Sequence, residues 1–430
     1  MAIQIDAEKK IFTLETDHTM YQMQADAYGV LRHLWYGAKT GCDMSYLQDY
    51  PDVGFSGNIY AAGNDRTYSL DTLPLEYAGA GVGDFRMPAV AAVHADGSSA
   101  LDLRYYSHTV KPGKYGIEGL PAVYAAEDEA ETLEVVLRDT ASAVEVTLLY
   151  AVLPALDLVT RCARIRNLGE TPVTLTKAAS LCLDISRGSW EWVHFHGRHA
   201  MERQMERRLL FHGIQEIGST RGTSSHHQNP TVLLCTPDCT ETAGACIGAA
   251  LVYSGSHQTR LECDQLGQVR MVMGIHPDLL RWELKAGETF STPEVMLSYS
   301  DTGLETLSHH FHQAIREHIC RGKYQLAERP VLINNWEATY FGFDTEKILH
   351  IAEEAARLGV DMLVLDDGWF GKRDDDCSGL GDWFVNETKL SGGLHDLVEK
   401  IKGMGMRFGI WFEPEMISED SDLYRKHPDW

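Results

Sequence analysis

The sequence is poor in basic residues and lacks any long apolar run. Its 430 residues include 38 Lys and Arg against 62 Asp and Glu, for a formal net charge of −24. This charge disfavours nucleic acid or an anionic membrane surface as a partner and is compatible with a neutral ligand. No stretch has the length of a membrane-spanning helix, and the N-terminal residues lack the apolar segment of a secretory signal. We therefore expect a cytoplasmic protein without nucleic-acid or membrane partners.

The cysteines do not form a recognisable framework. There are nine of them, an odd number, and no C-x-x-C pair occurs. Cys235, Cys239 and Cys246 lie close together in the sequence, but their spacing matches no zinc signature. We predict reduced thiols, most of them small core residues, with no metal site and no cofactor.

Several common catalytic motifs are also absent. The sequence has no G-x-S-x-G, Walker or H-E-x-x-H motif, which disfavours the commonest serine hydrolase, NTPase and zinc protease classes. Asp374–Asp376 and His226–His227 could ligate a metal, but the first lacks EF-hand spacing and the second lacks a third ligand. We expect a hydrogen-bonded loop around the histidines. For the acidic cluster we expect a solvated loop or one paired with Arg373.

Residues 1 to about 305 carry the pattern of antiparallel strands. Val144, Val146 and Leu148 alternate with polar residues, as do Val173 and Leu175. Such a period of two places one face on a core and the other in solvent. Many strands over some 300 residues need two stacked sheets, so a large β-sandwich is expected. A helix is predicted from Leu304 to about Tyr324.

After Pro330 the pattern changes to alternating strands and helices. Apolar runs at 331–333, 362–365 and 407–412 are separated by helical periodicity over 345–358 and around 394–404. Asp344 is the predicted N-cap of the first of these helices, and Gly359 its C-terminal stop. Strands separated by helices in this way are expected to run parallel, with crossover helices between them.

Acidic and aromatic residues follow these three strands. Asp366 and Asp367 come directly after the second strand, and Trp336, Trp369 and Trp411 lie at or just past the strand ends. The carboxylates could accept hydrogen bonds from substrate hydroxyls, and the indole rings could pack on a sugar. Alternatively, one acid caps the following loop, the other is solvated, and each tryptophan packs into the rim.

Long motifs along the chain match one known family. In the second half they are INNWEATYF (333–341), LDDGWFGKRDDD (365–376), LGDWFVN (380–386), GIWFEPEM (409–416) and YRKHPDW (424–430). In residues 1–305 they are YSLDTLPLEY (68–77), DLRYYSH (102–108), GLPAVY (119–124), MERR (205–208) and SSHHQNP (224–230). Over its whole length the chain therefore resembles family 36 glycoside hydrolases, the bacterial α-galactosidases.

The resemblance makes the expected architecture specific. It implies a multidomain β plus α/β protein whose N-terminal part, 1–305, is a β-supersandwich domain. A linker helix would follow at 306–329. Residues 330–430 would form the first three strands of a (β/α)8 TIM barrel, which would then be incomplete. The expected substrates are α-galactoside oligosaccharides of the melibiose and raffinose type, and the expected assembly is a homo-oligomer, often a tetramer.

The resemblance also implies a set of substrate-binding positions. The paired acids would bind galactose hydroxyls, and two tryptophans would line the pocket. One further acid matches loosely a loop residue that helps to close a neighbouring subunit's site. The histidine of the set stands where many members carry a substrate-contacting tryptophan, a departure that bears on the preference for longer substrates. The positions are Asp366, Asp367, Trp336, Trp411, Asp52 and His199.

No catalytic residue is predicted within the chain. Retaining hydrolysis needs a nucleophile and an acid/base about 5–5.5 Å apart. In the family both are aspartates on later barrel strands, the nucleophile in a K-W-D-like motif, and no such motif occurs here. We therefore expect an α-galactosidase truncated after Trp430 and inactive alone. The alternatives are a non-catalytic galactoside-binding or assembly module, or an α-N-acetylgalactosaminidase.

Overall fold

A computed structural model describes residues 2–52, 54, 58–185, 188–278 and 280–430. The chain forms two compact units, an N-terminal unit (Met1–Gln325) and a C-terminal unit (Leu326–Trp430). Together they are mostly sheet with few helices.

The N-terminal unit is built from strands followed by one long helix, α1 (Leu304–His318). Short 3-10 turns occur at Ser45–Leu47, Tyr60–Ala62 and Pro154–Leu156. The strands are β1 (Ile3–Asp6), β2 (Ile11–Glu15), β3 (Thr19–Ala25), β4 (Leu31–Ala38), β5 (Val90–Val93), β6 (Arg104–Pro112), β7 (Glu131–Asp139), β8 (Val144–Leu153), β9 (Leu158–Asn167), β10 (Val173–Ile185), β11 (Glu191–Arg198), β12 (Met201–Leu209), β13 (Gly213–Ser219), β14 (Gln228–Cys235), β15 (Cys246–Val252), β16 (His257–Cys263), β17 (Val269–Ile275), β18 (Trp282–Leu284), β19 (Thr289–Ser291) and β20 (Glu294–Ser300).

These strands form three sheets. The first is the meander β1-β2-β3-β4. The second has the order β13-β16-β17-β10-β18, with β5 also paired to β10. The third has the order β12-β11-β14-β15-β20-β9-β8-β7-β6, with β19 also paired to β9. The three sheets share one apolar core, to which each contributes buried side chains such as Phe12, Leu181 and Val146.

The alternation of buried and exposed residues predicted for β8 is confirmed. Val144, Val146 and Leu148 on β8 are buried, whereas Glu145 and Thr147 between them are partly exposed. Farther along β8, from Leu148 to Leu153, every residue is buried, so this part of the strand is covered on both faces. The cysteines are all free thiols, and the buried ones are Cys162, Cys182, Cys235, Cys239 and Cys246.

A buried ion pair joins the three sheets. Arg161 on β9 donates from Nη1 to Oε1 of Glu76 at 2.8 Å, and both side chains are almost fully buried. The hydroxyls of Tyr21 (β3) and Tyr150 (β8) donate to the same carboxylate oxygen at 2.5 and 2.7 Å. Nδ1 of His33 on β4 lies 3.1 Å from the other oxygen of Glu76. Burial alone would raise the pKa of Glu76, but Arg161 and these hydrogen bonds lower it overall, so the carboxyl stays charged.

Helix α1 packs on the N-terminal unit through one face. Leu307, Phe311 and Ala314 are buried at helical spacing in a second apolar cluster, which includes Cys246 on β15 and Met296 on β20. A glycine on β15 makes the close approach possible, because a Cβ at Gly248 would lie 2.4 Å from the Phe311 ring. The helix is shorter than predicted, because it ends at His318 and not near Tyr324. It therefore covers only the first part of the predicted linker at 306–329.

The C-terminal unit contains a three-stranded parallel sheet. Its elements are β21 (Leu332–Asn334), α2 (Trp336–Thr339), α3 (Thr345–Arg357), β22 (Met362–Leu365), α4 (Gly393–Gly403), β23 (Arg407–Ile410) and α5 (Asp422–Lys426). The strand order is β21-β22-β23, and both pairings are parallel, as predicted from the strand–helix alternation. Strand β23 ends at Ile410, two residues earlier than predicted.

The predicted limits of helix α3 are confirmed. The Asp344 side chain accepts a hydrogen bond from the Lys347 amide at 2.9 Å, which caps the first turn. Gly359 adopts a φ of 83° just after the last turn, a left-handed conformation that ends the helix. The helix packs with α4 against β22 in a separate core that includes Ile348, Leu363 and Leu397. None of the helices in the described residues is both long and apolar enough to cross a membrane.

We expect Glu76→Gln to destabilise the chain by about 3–5 kcal/mol, because the change leaves the Arg161 guanidinium buried without a counter-charge. Glu317→Gln on α1 is the matched control, since it removes an exposed partner of Arg316 and should cost less than about 1 kcal/mol. Urea unfolding followed by circular dichroism measures both values. Equal effects of the two substitutions would show that the buried pair does not stabilise the core.

Candidate functional site

Polar and aromatic residues gather where the three parallel strands of the C-terminal unit end. The carboxyl ends of parallel strands lie at one edge of a sheet. The residues that follow β21, β22 and β23 are Asn335, Asp366 and Trp411. The backbone amide of Asn335 donates to the carbonyl of Val364 at 3.4 Å, and that of Trp411 to Leu365 at 2.9 Å. The sheet register therefore extends into the site and fixes these residues side by side.

Asp366 is half-buried, and the ends of two strands hold it. Its Oδ2 accepts a hydrogen bond from Nδ2 of Asn334 at 2.5 Å, and its Oδ1 accepts one from the Asp367 amide at 2.7 Å. Its own amide donates to Oδ1 of Asn335 at 2.8 Å. A carboxylate offers about four acceptor positions. Asp366 is therefore fixed in orientation while retaining acceptor capacity for a ligand hydroxyl.

Asp367 is in a different environment. It is only 6% exposed, and Arg373, which is equally buried, forms a forked pair with it. Nε of Arg373 lies 3.0 and 3.1 Å from the two carboxylate oxygens, and Nη2 lies 2.9 Å from Oδ2. Arg373 also donates to the Ser378 carbonyl at 3.1 Å. The pair thus ties the strand end to the loop that follows it.

The acidic cluster after β22 is an exposed loop. Asp374 pairs with Nζ of Lys389 at 2.7 Å, and the same Nζ donates to the carbonyls of Gly368 and Arg373. Asp375 accepts hydrogen bonds from the Cys377 amide and from Oγ of Ser378. The arginine pairing considered for this cluster does not form, because Arg373 pairs with Asp367. Within the described ranges, no three His, Cys, Asp or Glu side chains are arranged to hold a metal ion.

The tryptophans divide into two kinds. Trp336 is half-buried, with its ring 5.3 Å from Tyr340 and 5.0 Å from Phe341 in edge-to-face contacts. Trp411 is also half-buried, and its ring centroid lies 6.3 Å from that of Trp383. Trp369 is 3% exposed and donates from Nε1 to the Trp411 carbonyl at 3.0 Å. Trp369 therefore packs in the core, as the alternative interpretation held, whereas Trp336 and Trp411 keep accessible surface.

The other two predicted site residues belong to the N-terminal unit. Asp52 is exposed, pairs with Arg66 at 3.2 Å and accepts a hydrogen bond from the Gly54 amide. Its neighbours at 53 and 55–57 lie outside the described residues. His199 is exposed in the turn between β11 and β12. The Asp52 and His199 assignments therefore remain predictions.

Sequence reasoning missed the residues that orient the acids. Asn334 bridges two site residues, because it donates to Asp366 and accepts from the Trp336 amide at 2.7 Å. Asn335 is fully buried, and its Oδ1 accepts a hydrogen bond from the Asp366 amide. The two consecutive asparagines at the end of an apolar strand are the sequence signal from which this role could have been predicted. The Arg373–Asp367 pair gave no comparable signal, since the acids at 374–376 are closer to Arg373 in sequence.

We expect the two adjacent acids to differ in their effect on stability. Asp367→Asn leaves the buried Arg373 without its counter-charge and should cost about 3–5 kcal/mol. Asp366→Asn changes a half-exposed group and should cost about 1 kcal/mol. The free energy of unfolding of both variants in urea provides the comparison. A larger loss for Asp366→Asn would contradict the assignment of Asp367 as the loop anchor.

Comparison with known proteins identifies relatives over the whole chain. The profile of the glycosyl hydrolase family 36 N-terminal domain matches residues 29–285, and the melibiase profile matches residues 289–430. The bifunctional α-galactosidase/sucrose kinase AgaSK of Mediterraneibacter gnavus is 54% identical over 430 residues, which are 100% of this chain and 46% of that protein. The α-galactosidase AgaA of Geobacillus stearothermophilus is 45% identical over 433 residues, 100% of this chain and 59% of that protein.

Solved structures agree with these relatives. The galactosidase domain of AgaSK superposes with a TM-score of 0.94 at 54% identity, covering 100% of this chain and 60% of that one. A variant of AgaA in complex with raffinose superposes with a TM-score of 0.92 at 44% identity, covering 98% and 59%. The chain spans about half the length of the curated relatives it matches. Because the N-terminal profile alone matches more than half of the residues, the chain belongs to glycosyl hydrolase family 36.

Proposed function

We propose that this chain forms the N-terminal and substrate-binding part of a retaining α-galactosidase. The enzyme would release terminal non-reducing α-D-galactosyl residues from oligosaccharides of the melibiose and raffinose type. The observation that carries the proposal is the half-buried Asp366, held by Asn334 at the strand edge beside Trp411. The relatives named α-galactosidases and the raffinose bound to the AgaA variant support this choice of sugar.

We also propose the boundaries of three domains in the chain. Residues 1–305 would be the β-supersandwich, residues 306–329 the linker containing α1, and residues 330–430 the first three strands of a (β/α)8 barrel. Three sheets on one core support the first assignment. Parallel strands with α3 and α4 packed on β22 support the barrel, whose ligand site is at the carboxyl ends of its strands.

The proposed roles follow the surroundings of each side chain. Asp366 accepts hydrogen bonds from galactose hydroxyls, and Trp336 and Trp411 pack against the C–H face of the sugar ring. Asp367 completes the acidic part of the site and, through Arg373, fixes the loop beside it. The chemical step requires a nucleophile and an acid/base about 5–5.5 Å apart, and we assign neither to a residue of this chain.

We propose that the protein assembles into a homo-oligomer, a tetramer in the full-length form, through a surface that includes β12. This strand lies at the end of its sheet, and Met205 and Leu209 are 59% and 56% exposed on it. Phe211, just after the strand, is 63% exposed. Exposed apolar side chains at the edge of a sheet are typical of an interaction surface. In such an assembly Asp52 would help to close a neighbouring chain's site.

We infer that the protein resides in the cytoplasm. Nine free cysteines, three of them exposed, support a reducing compartment.

We expect α-galactosidase activity in a polypeptide that continues past Trp430 to the length of the relatives, and none in the 430-residue chain alone. In the longer protein, Asp366→Asn should lower kcat/KM for p-nitrophenyl α-galactoside roughly 10- to 100-fold, because a charged acceptor is lost. Asp376→Asn, an exposed acid of the next loop, is the control and should leave kcat/KM unchanged.

Two results would refute this assignment. Enzyme-like turnover by the 430-residue chain would place the nucleophile among its own residues. Equal activity of Asp366→Asn and the parent protein would remove Asp366 from the site.

We expect Met205→Lys to weaken self-association at least about tenfold, because a lysine would be desolvated in the contact. Val110→Lys, on β6 at the opposite end of the same sheet, is the matched control, since Val110 is also exposed. Light scattering over a concentration series measures the mass of each variant. A parent protein that stays monomeric, or an unchanged mass for Met205→Lys alongside the control, would contradict the assembly surface.

A further inference from the structure

A tight turn after helix α2 holds Tyr340 in a conformation that most side chains avoid. The Gly342 amide donates to the Thr339 carbonyl at 3.0 Å, and Tyr340 between them has a φ of 44° and a ψ of −131°. These angles are close to those of the first central residue of a type II′ turn, a position dominated by glycine. A tyrosine costs free energy there that a glycine would avoid, so its presence calls for a use of the ring.

The ring of Tyr340 lies beside Trp336, which follows the end of β21. The two ring centroids are 5.3 Å apart, with the ring planes at 87°, and the Tyr340 amide donates to the Trp336 carbonyl at 2.7 Å. Tyr340 is 53% exposed, and its hydroxyl donates to Oε2 of Glu337 at 3.3 Å, a long hydrogen bond. The strained turn thus holds an accessible aromatic surface next to the tryptophan proposed to pack on a sugar.

The next residue, Phe341, fills the space between Trp336 and the acidic strand end. Its ring centroid lies 5.0 Å from that of Trp336, and a Cβ at Gly368 would lie 3.0 Å from its ring. The guanidinium of Arg373, which pairs with Asp367, lies 5.5 Å from the centre of the same ring. Phe341 therefore packs against the segment that carries the acids, whereas the neighbouring tyrosine ring lies against α2.

We propose that Tyr340 contacts the second ring of the oligosaccharide, the ring that is released when the galactosyl group is transferred. The proposal rests on the proposed function, because it requires that Asp366 and Trp336 hold the galactosyl ring. The hydroxyls that a carboxylate binds and the anomeric carbon lie at different edges of that sugar, so the second ring extends beyond the acids. An accessible aromatic ring beside Trp336 and outside the acidic segment is placed to pack on the C–H face of this second ring.

The test compares melibiose, whose leaving group is a sugar ring, with α-galactosyl fluoride, whose leaving group has no ring. The protein is the polypeptide that continues past Trp430. Tyr340→Ala and Tyr340→Gly should each lower kcat/KM for melibiose about 3- to 10-fold and leave that for the fluoride within about twofold of the parent. Tyr340→Phe keeps the ring and should retain the parent values with both substrates.

The alanine and glycine variants also separate the ring from the backbone. Neither carries a ring, but only glycine relieves the strain, so Tyr340→Gly should have a higher urea midpoint than Tyr340→Ala in the 430-residue chain. Lys10→Gly is the control, because Lys10 in the N-terminal unit also has a positive φ, of 51°. It should leave both values of kcat/KM unchanged. A midpoint for Tyr340→Gly no higher than that for Tyr340→Ala would remove the strain on which the proposal stands.

The kinetic outcomes distinguish this proposal from the proposed function. A parent protein that hydrolyses neither substrate would end both. If the parent hydrolyses both substrates, an unchanged kcat/KM of Tyr340→Ala for melibiose would overturn the contact alone. Equal losses with melibiose and the fluoride would overturn it as well, because a ring that only supports Trp336 affects every galactoside.

Discussion

The Glu76–Arg161 pair is the interaction on which the N-terminal unit depends. A single carboxylate oxygen receives hydrogen bonds from β3, β8 and β9, which belong to two different sheets, and Arg161 also donates to the Cys182 carbonyl of β10 in the remaining sheet. Buried charges of this kind contribute little net stability, but an alternative register of β9 would leave the Glu76 carboxylate without its counter-charge. An alternative register of β3 or β8 would remove a tyrosine hydrogen bond from that carboxylate. We infer that the pair selects one packing of the three sheets among the many that apolar side chains alone would allow.

The same network reaches the surface of the unit through β4. The His33 ring contacts Glu76, and the His33 carbonyl accepts a hydrogen bond from Nε2 of Gln48, so the position of the segment around Gln48 follows from the position of the ion pair. The C-terminal unit has an equivalent constraint in its parallel register. There the backbone bonds that align three strand ends also align Asn335, Asp366 and Trp411. In the C-terminal unit, backbone pairing therefore decides which side chains meet at the sheet edge, whereas in the N-terminal unit a buried side-chain network holds the segment near Gln48.

How far the sequence predicts the fold depends on whether the signal is local. Alternation in β8 and the cap at Asp344 are local, and both were predicted correctly. The end of α1 was placed too late, because the backbone already leaves the helical conformation at Ile319, with a φ of −122°, where no glycine or proline marks the end. The sheet order is decided by pairings between residues more than a hundred positions apart, such as Arg161 on β9 and Val295 on β20, which no periodicity records. The acids of the site were found because they follow a strand. Their partners Asn334 and Arg373 were missed because a partner is chosen in three dimensions.

The unequal surroundings of the two adjacent acids limit how this site can evolve. Asp367 and Arg373 can change only together, since either one alone leaves a buried charge without compensation. Asp366 is tied by neutral hydrogen bonds at a half-open edge, so a single substitution there is tolerated by the fold. A single substitution is therefore accessible on the Asp366 side of the strand end, whereas the Asp367 side requires a coordinated double replacement.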